Sequence, residues 1–257
     1  MMKTALITGA SSGIGAELAR LHAGKGGNLV LVARNEMRLQ SLKKELETQH
    51  GIKVTILVVD LSVPGSAQSV FEQTEAAGIQ VDLLINNAGF GGYGKFHQRE
   101  LAREEAMMQL NMNTLTSLTH LYVQGMVSRG HGAILNVAST AGFIPGPMQA
   151  VYFATKSYVL SFSQAISEEL KRSGVTVTAL CPGPVNTEFV AQGDLEGVKA
   201  FEKTASPESV ARCGYRAMEQ GKLIAINDKS LRFMLDWVTP FVPRKVLLKA
   251  SRFALQK

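Results

Sequence analysis

Cysteine is scarce in this chain of 257 residues, which holds only Cys181 and Cys213, 32 positions apart. Two thiols so spaced make neither a disulfide framework nor a metal-ligand set, and they read as idle thiols of a reducing compartment. The expected address is therefore the cytoplasm. Long hydrophobic runs are missing too. No stretch of about 18 uncharged apolar residues occurs, so no membrane span is predicted. The apolar run at the start ends at Gly9, too soon for the core of a signal peptide. Trp237 is the only tryptophan, and aromatics are not interleaved with bases in the way base stacking requires. The five histidines share no ligand spacing, so no metal site is expected.

An excess of one charge is also absent from most of the chain. The net charge of +6 comes entirely from residues 229–257, which carry seven bases and the single acid Asp236. The remaining 228 residues hold 20 bases and 20 acids. A basic tail on a neutral body is not the charge pattern of a nucleic-acid-binding module, and none is expected.

What is present is apolar side chain in plenty, at 46% of residues against 19% charged. That composition suits a folded domain with a sizeable core. Seven short apolar runs punctuate the chain, at 4–8, 28–33, 53–59, 81–85, 133–137, 175–180 and 223–226. Unbroken apolar runs, as opposed to alternating ones, suit strands covered on both faces. Helical patterns such as Glu36–Gln49 and Tyr152–Arg172 lie between them. Strand–helix alternation of this kind predicts one α/β domain with a parallel seven-stranded sheet. Long helices are also predicted over 98–129 and 152–172. Residues 184–206 break the rhythm and are expected to form a loop with short helices.

The first strand runs into Thr8-Gly9-Ala10-Ser11-Ser12-Gly13-Ile14-Gly15 and then a helix. Glycines there allow a sharp turn and a close approach to a pyrophosphate, which the helix N-terminus favours by its free N–H groups and dipole. At the end of the second strand, where a carboxylate would bind the ribose of NAD, stands Arg34. A guanidinium matches a phosphate, so NADP(H) is the expected cofactor. Arg38, one helical turn on, is a second candidate for that charge. Tyr152 and Lys156 are spaced i, i+4 on one helix face. A lysine cation beside a tyrosine favours the phenolate and is expected to lower the phenol pKa toward the working pH.

These segments resemble, in order, the motifs of the short-chain dehydrogenase/reductase family, in its branch of ketoacyl reductases and hydroxysteroid dehydrogenases. Thr8–Gly15 is similar to the family's glycine turn, and Asp60-Leu61 to its adenine contact after the third strand. Asn86-Asn87-Ala88-Gly89, Tyr152-Phe-Ala-Thr-Lys156 and Pro182-Gly183-Pro-Val185-Asn-Thr187 match its later signatures. The resemblance spans residues 3 to about 227 and implies a Rossmann-type doubly wound sheet with helices on both faces. It implies cofactor contacts from Gly9, Ser11, Ser12, Gly13, Ile14, Gly15, Arg34, Asp60, Leu61, Asn87, Ala88, Gly89, Tyr152, Lys156, Pro182, Gly183, Val185 and Thr187. It also implies a catalytic set of Asn111, Ser139, Tyr152 and Lys156.

In that set Tyr152 gives a proton to a carbonyl oxygen held by Ser139, while NADPH supplies hydride to the carbon. Lys156 binds the nicotinamide ribose, and Asn111 supports a water relay to it. Asn113 is the rival for Asn111, and Thr140 the neighbour not chosen over Ser139. The implied activity is exchange of a ketone or aldehyde with an alcohol. The alternative is an NADP(H) sensor without turnover, although relatives that lose catalysis usually lose the tyrosine or lysine that this chain keeps.

Phe90, Tyr93, Phe143, Met148 and Phe189 are the candidate substrate pocket, apolar enough to predict a hydrophobic substrate. The family also implies a homodimer or homotetramer. Residues 1–228 form the expected catalytic domain, with 184–206 as its substrate loop, and 229–257 form a basic, aromatic helical extension. A last helix after Pro243 would carry a basic stripe, Lys245, Lys249 and Arg252. An apolar stripe of Val246, Ala250, Phe253 and Ala254 would adjoin it. Three readings of this extension stand: packing on the domain or a sister subunit, a lid over the pocket, or attachment to anionic lipid or an acidic carrier. The last is the least favoured.

Overall fold

The computed structural model describes residues 2–257. Seven strands form one parallel sheet: β1 (Thr4–Thr8), β2 (Asn28–Ala33), β3 (Val54–Val58), β4 (Leu83–Asn86), β5 (Gly132–Val137), β6 (Val175–Leu180) and β7 (Ile224–Ala225). Their spatial order is β3-β2-β1-β4-β5-β6-β7. The predicted apolar runs become strands because both faces of the sheet are covered. Ala5 and Ile7 point to one side and Leu6 to the other, and all three are buried.

Helices α1 (Gly13–Ala23), α2 (Glu36–His50) and α8 (Pro207–Glu219) cover the first face, where Leu18, Leu39, Leu46 and Val210 pack on Ile7 and Leu31. Helix α3 (Ser66–Ala76) and α5 (Leu115–Arg129) cover the second, bringing Val70, Leu118 and Met126 onto Leu6, Val30 and Ile134. On that side α6 (Ala150–Glu169) also seats Val159 and Leu160 beside Ala179 of β6. This is the single α/β domain that the alternation predicts, doubly wound and Rossmann-type as the resemblance implies. The strand order reverses between β1 and β4, and the crevice at the carboxyl ends of those strands is where such sheets bind ligands. The Thr4 amide donates to Asp82 Oδ2 at 2.9 Å and helps to pin β1 to the chain just before β4.

One element differs from expectation. The long helix predicted over 98–129 is broken into α4 (Leu101–Met108), a π-helical turn (Gln109–Thr114) and α5. The widened turn turns Asn111 inward, where its side chain replaces helical regularity with hydrogen bonds to neighbouring elements. The loop 184–206 does contain short helices, α7 (Phe189–Gln192) and a 3₁₀ turn (Lys199–Phe201). A bridge from Val185 to Ala205 joins its ends.

The tail forms α9 (Lys229–Phe233), a π turn (Met234–Val238), a 3₁₀ turn (Thr239–Phe241) and α10 (Arg244–Ala254), with Pro243 just before α10. Among the described residues no helix is long and apolar enough to cross a membrane.

Candidate active site

The glycine turn after β1 is held by a partner loop. Asn87 Nδ2 donates to the carbonyls of Thr8 (2.9 Å) and Gly9 (3.2 Å), and Thr8 Oγ1 accepts from the amides of Asn87 and Ala88, both at 3.0 Å. Gly9 and Gly13 adopt φ of 65° and 55°, a region that disfavours any side chain. At Gly15 a Cβ would sit 2.3 Å from the Gly9 carbonyl oxygen, so only glycine lets α1 begin so close to the turn. Ser12 makes no side-chain cap to α1, which leaves first-turn amides free to meet an anion. These features fit a dinucleotide pyrophosphate.

A cavity of about 1100 Å³ runs from this turn across the carboxyl edge of the sheet. Of the residues expected to hold cofactor or to react, all but two line it. Gly15 and Asn111 sit behind its wall. Arg34 is 70% exposed at one end, with its guanidinium 3.9 Å from Asp60 Oδ2. That loose pair leaves most of its donors available for a phosphate. Asp60 is itself turned to Ser62, accepting from its amide and hydroxyl at 2.9 and 2.6 Å, and hydrogen bonding there helps to hold its carboxyl below the ordinary range. Arg38 is committed elsewhere: its guanidinium makes a 2.7 Å ion pair with Glu188, across the cleft in the 184–206 loop.

At the other end of the cavity the expected reacting groups converge. Ser139 follows β5, and its Oγ accepts from the Ala141 amide at 3.1 Å, which starts a 3₁₀ turn (Thr140–Phe143). Gly142 of that turn lies against α6: a Cβ there would be 2.7 Å from the Lys156 carbonyl. This contact packs the turn that follows Ser139 against α6, the helix that carries Tyr152. Thr140 and Ser139 both donate their hydroxyls to Pro182 O, at 3.2 and 3.4 Å. Lys156 is buried, and its Nζ donates to Val137 O at 2.8 Å. Asn111 is buried and donates to Phe90 O (3.0 Å) and Thr155 Oγ1 (3.1 Å) while accepting from the Phe90 amide (3.2 Å). Asn113, its rival, is exposed and bonds only to Gln109 of the same turn.

The expected lowering of the Tyr152 pKa by Lys156 is not found. Burial pushes the phenol up to about 12, opposed only by the influence of the neighbouring Ser139 hydroxyl. The Lys156 ammonium points to a backbone carbonyl and lies 5.8 Å from the centre of the tyrosine ring, and burial pulls it down to about 8. Desolvation outweighs the mutual influence of the pair.

The pocket also needs correction. Phe90 and Phe189 line the cavity, but Tyr93, Phe143 and Met148 do not. Tyr93 donates its hydroxyl to Leu255 O at 2.8 Å, Phe143 packs beside the core around Val159, and Met148 is held in a left-handed turn at φ 72°. Two polar residues went unseen in the sequence. Gln149 Oε1 and Ser251 Oγ are buried, have no hydrogen-bond partner, and belong to residues that line the cavity. They lie about 100 positions apart with no shared motif. The tail supplies a wall of the same cavity through Leu231, Leu235 and Leu255.

The family model described as short chain dehydrogenase matches residues 3–196. An uncharacterized oxidoreductase of Staphylococcus saprophyticus is 30% identical over 230 residues, 90% of this chain and 97% of that protein. A very-long-chain 3-oxoacyl-CoA reductase of Mycosarcoma maydis is 30% identical over 253 residues, 95% of this chain and 71% of that one. Among solved structures, a short-chain dehydrogenase from Sphingobium yanoikuyae in complex with NADPH is 32% identical. It aligns with a TM-score of 0.86 over 100% of this chain and 99% of its own. With a doubly wound sheet, a glycine turn at its switch point and these relatives, the chain belongs to the short chain dehydrogenase family, oxidoreductases of carbonyl and alcohol groups.

Proposed function

We propose that the protein is an NADP(H)-dependent reductase, or in reverse a dehydrogenase, of large apolar carbonyl compounds. The observation that carries this reading is the convergence of Ser139, Tyr152 and Lys156 on one end of a cavity whose other end presents Arg34. When bound, NADP(H) supplies or accepts hydride at the substrate carbon. Ser139 orients the substrate oxygen by a hydrogen bond, and Tyr152 exchanges the proton at that oxygen. Lys156 holds the cofactor ribose and lends a positive charge near the phenol. Asn111 fixes the Phe90 backbone and the Thr155 end of α6, which keeps Lys156 in register.

Substrate size and polarity follow from the cavity wall. Ile144, Phe153, Phe189, Phe201, Leu235 and Leu255 make it apolar, with room beyond the cofactor. Gln149 and Ser251 give it two unpaired polar groups, suited to a hydroxyl, carbonyl or amide of the substrate away from the reacting carbon. The name of the Mycosarcoma maydis relative, a reductase of 3-oxoacyl chains, supports an apolar substrate. The NADPH complex of the Sphingobium yanoikuyae protein supports the cofactor. In this reading residues 1–228 carry the chemistry and 229–257 close one side of the pocket. The test is Tyr152→Phe with NADPH and a panel of bulky ketones. NADPH binding should persist while turnover falls by a factor of about 10² to 10⁴. Turnover near that of the unmutated protein would sink the assignment.

A further inference from the structure

The tail has two sides of opposite character. Its inner side carries Leu231, Leu235, Ser251 and Leu255 into the cavity wall. Its outer side does not pack. Eight of the eighteen exposed large hydrophobic residues among those described fall within 233–253, among them Trp237 (68% exposed), Phe241 (82%) and Phe253 (63%). On α10 and at Leu255 just after it, the buried positions are Leu255, Ser251 and half-buried Leu247. At about 100° per residue, Val246, Ala250 and Phe253 then face outward. Lys245, Lys249 and Arg252 stand beside them, also exposed. Thus both stripes expected of this helix face solvent, whereas an apolar stripe normally turns to the core. Only Ala254 departs from that pattern, since it lines the cavity.

Three observations together name the partner. The patch is apolar and aromatic, which suits an occupant that buries rings. It is cationic, with seven bases and one acid in 229–257, and Lys199 adds its ammonium 4.2 Å from the centre of the Phe253 ring. A second copy placed two-fold on this face would set Lys245, Lys249 and Arg252 against the same three bases, a like-charge juxtaposition that interfaces avoid. The outer side also backs the wall of the cavity, so what covers it lies next to the substrate's room. We propose that residues 229–257 dock the protein on the surface of an anionic phospholipid bilayer. Trp237, Phe241 and Phe253 enter the boundary of headgroups and acyl chains, and Lys245, Lys249 and Arg252 meet lipid phosphates. The pocket is thereby presented to molecules dissolved in the membrane. The docking does not depend on the reaction proposed above.

The test uses the full chain and two sets of vesicles, neutral phosphatidylcholine and phosphatidylcholine with about one third phosphatidylglycerol. The expected result is sedimentation with the anionic vesicles at low salt and release at high salt. Emission from Trp237, the sole tryptophan, should shift to the blue in parallel. The triple variant Lys245→Glu, Lys249→Glu, Arg252→Glu should bind at least on the order of a hundredfold more weakly, at about fivefold for each base removed. Phe241→Glu should also weaken binding. Both variants should keep the circular dichroism and the rate on a water-soluble ketone, since these side chains touch neither cavity nor core. No sedimentation at low salt overturns the proposal. So does equal binding to neutral vesicles, or unchanged binding of the triple variant. If Phe241→Glu instead splits an oligomer in light scattering and vesicles bind neither form, the face is a subunit contact and the membrane proposal fails.

Discussion

Replacing Lys156 by methionine should stabilise the protein while removing its turnover. Burial pulls the ammonium pKa from 10.5 to about 8. A tenfold shift in proton affinity corresponds to about 1.4 kcal/mol, so the charged side chain costs the fold about 3 kcal/mol at neutral pH. Methionine fills a similar volume without charge. It leaves the Val137 carbonyl without the 2.8 Å bond to Nζ, a loss of about 1 kcal/mol. The net gain near pH 7 is about 2 kcal/mol. The pH dependence identifies the cause. Between pH 8 and 10.5 the unfolded chain holds a proton at this lysine that the folded protein has released, so the stability of the unmutated protein rises with pH across that window. The rise from pH 7 to pH 9 is about 1–2 kcal/mol, and the methionine variant should lack it. Tyr122 and Tyr152, both pushed up to about 12, are common to the two proteins and cancel in their difference. Urea unfolding of both proteins without cofactor, at pH 7, 8 and 9, measures the effect. Parallel stability–pH curves would refute the claim that a desolvated ammonium destabilises this site.

Three further outcomes are expected. Arg34→Asp should reverse the preference for NADPH over NADH, since Arg34 is exposed and only loosely paired with Asp60; equal dissociation constants for the two cofactors in the unmutated protein would remove its assigned role. Gly15→Ala should weaken binding of either cofactor or unfold the first turn, because its Cβ would meet the Gly9 carbonyl at 2.3 Å; unaltered titration and melting would contradict that clash. The chain should form a homodimer or homotetramer through α4, α5 and α6, which leave Leu101, Val127 and Tyr158 exposed, and a monomer in light scattering at micromolar concentration would contradict it.

The strands were legible because a buried parallel strand needs no alternation: after Asn28, residues 29–33 are one unbroken apolar run, and β2 takes the predicted bounds 28–33. The turn around Gly9 to Gly15 was legible because its chemistry lies within eight consecutive residues. Asn111 could be chosen over Asn113 by motif, but the π turn that buries one and exposes the other depends on Phe90 and Thr155, far away in sequence. Gln149 and Ser251 were invisible for the same reason, since only the folded cavity brings them to one wall. The i, i+4 spacing places Lys156 near Tyr152 but does not tell how dry the pair is, and it is the burial that raises the phenol pKa. On α10 periodicity placed the stripes, Ala254 excepted, but could not say which way they face.

The order of the strands sets a timetable for synthesis. β1 leaves the ribosome early and can pair with β2 almost at once, but its other edge pairs with β4, with Ala5 opposite Leu83. At about 5–20 residues per second, the 78 positions that separate those partners take roughly 4–16 s to make. Throughout that time β1, an inner strand of the future sheet, is an open edge of apolar residues, the kind of template on which nascent chains pair wrongly. The yield of folded protein should therefore be governed more by what shields β1 during translation than by the stability of the finished sheet.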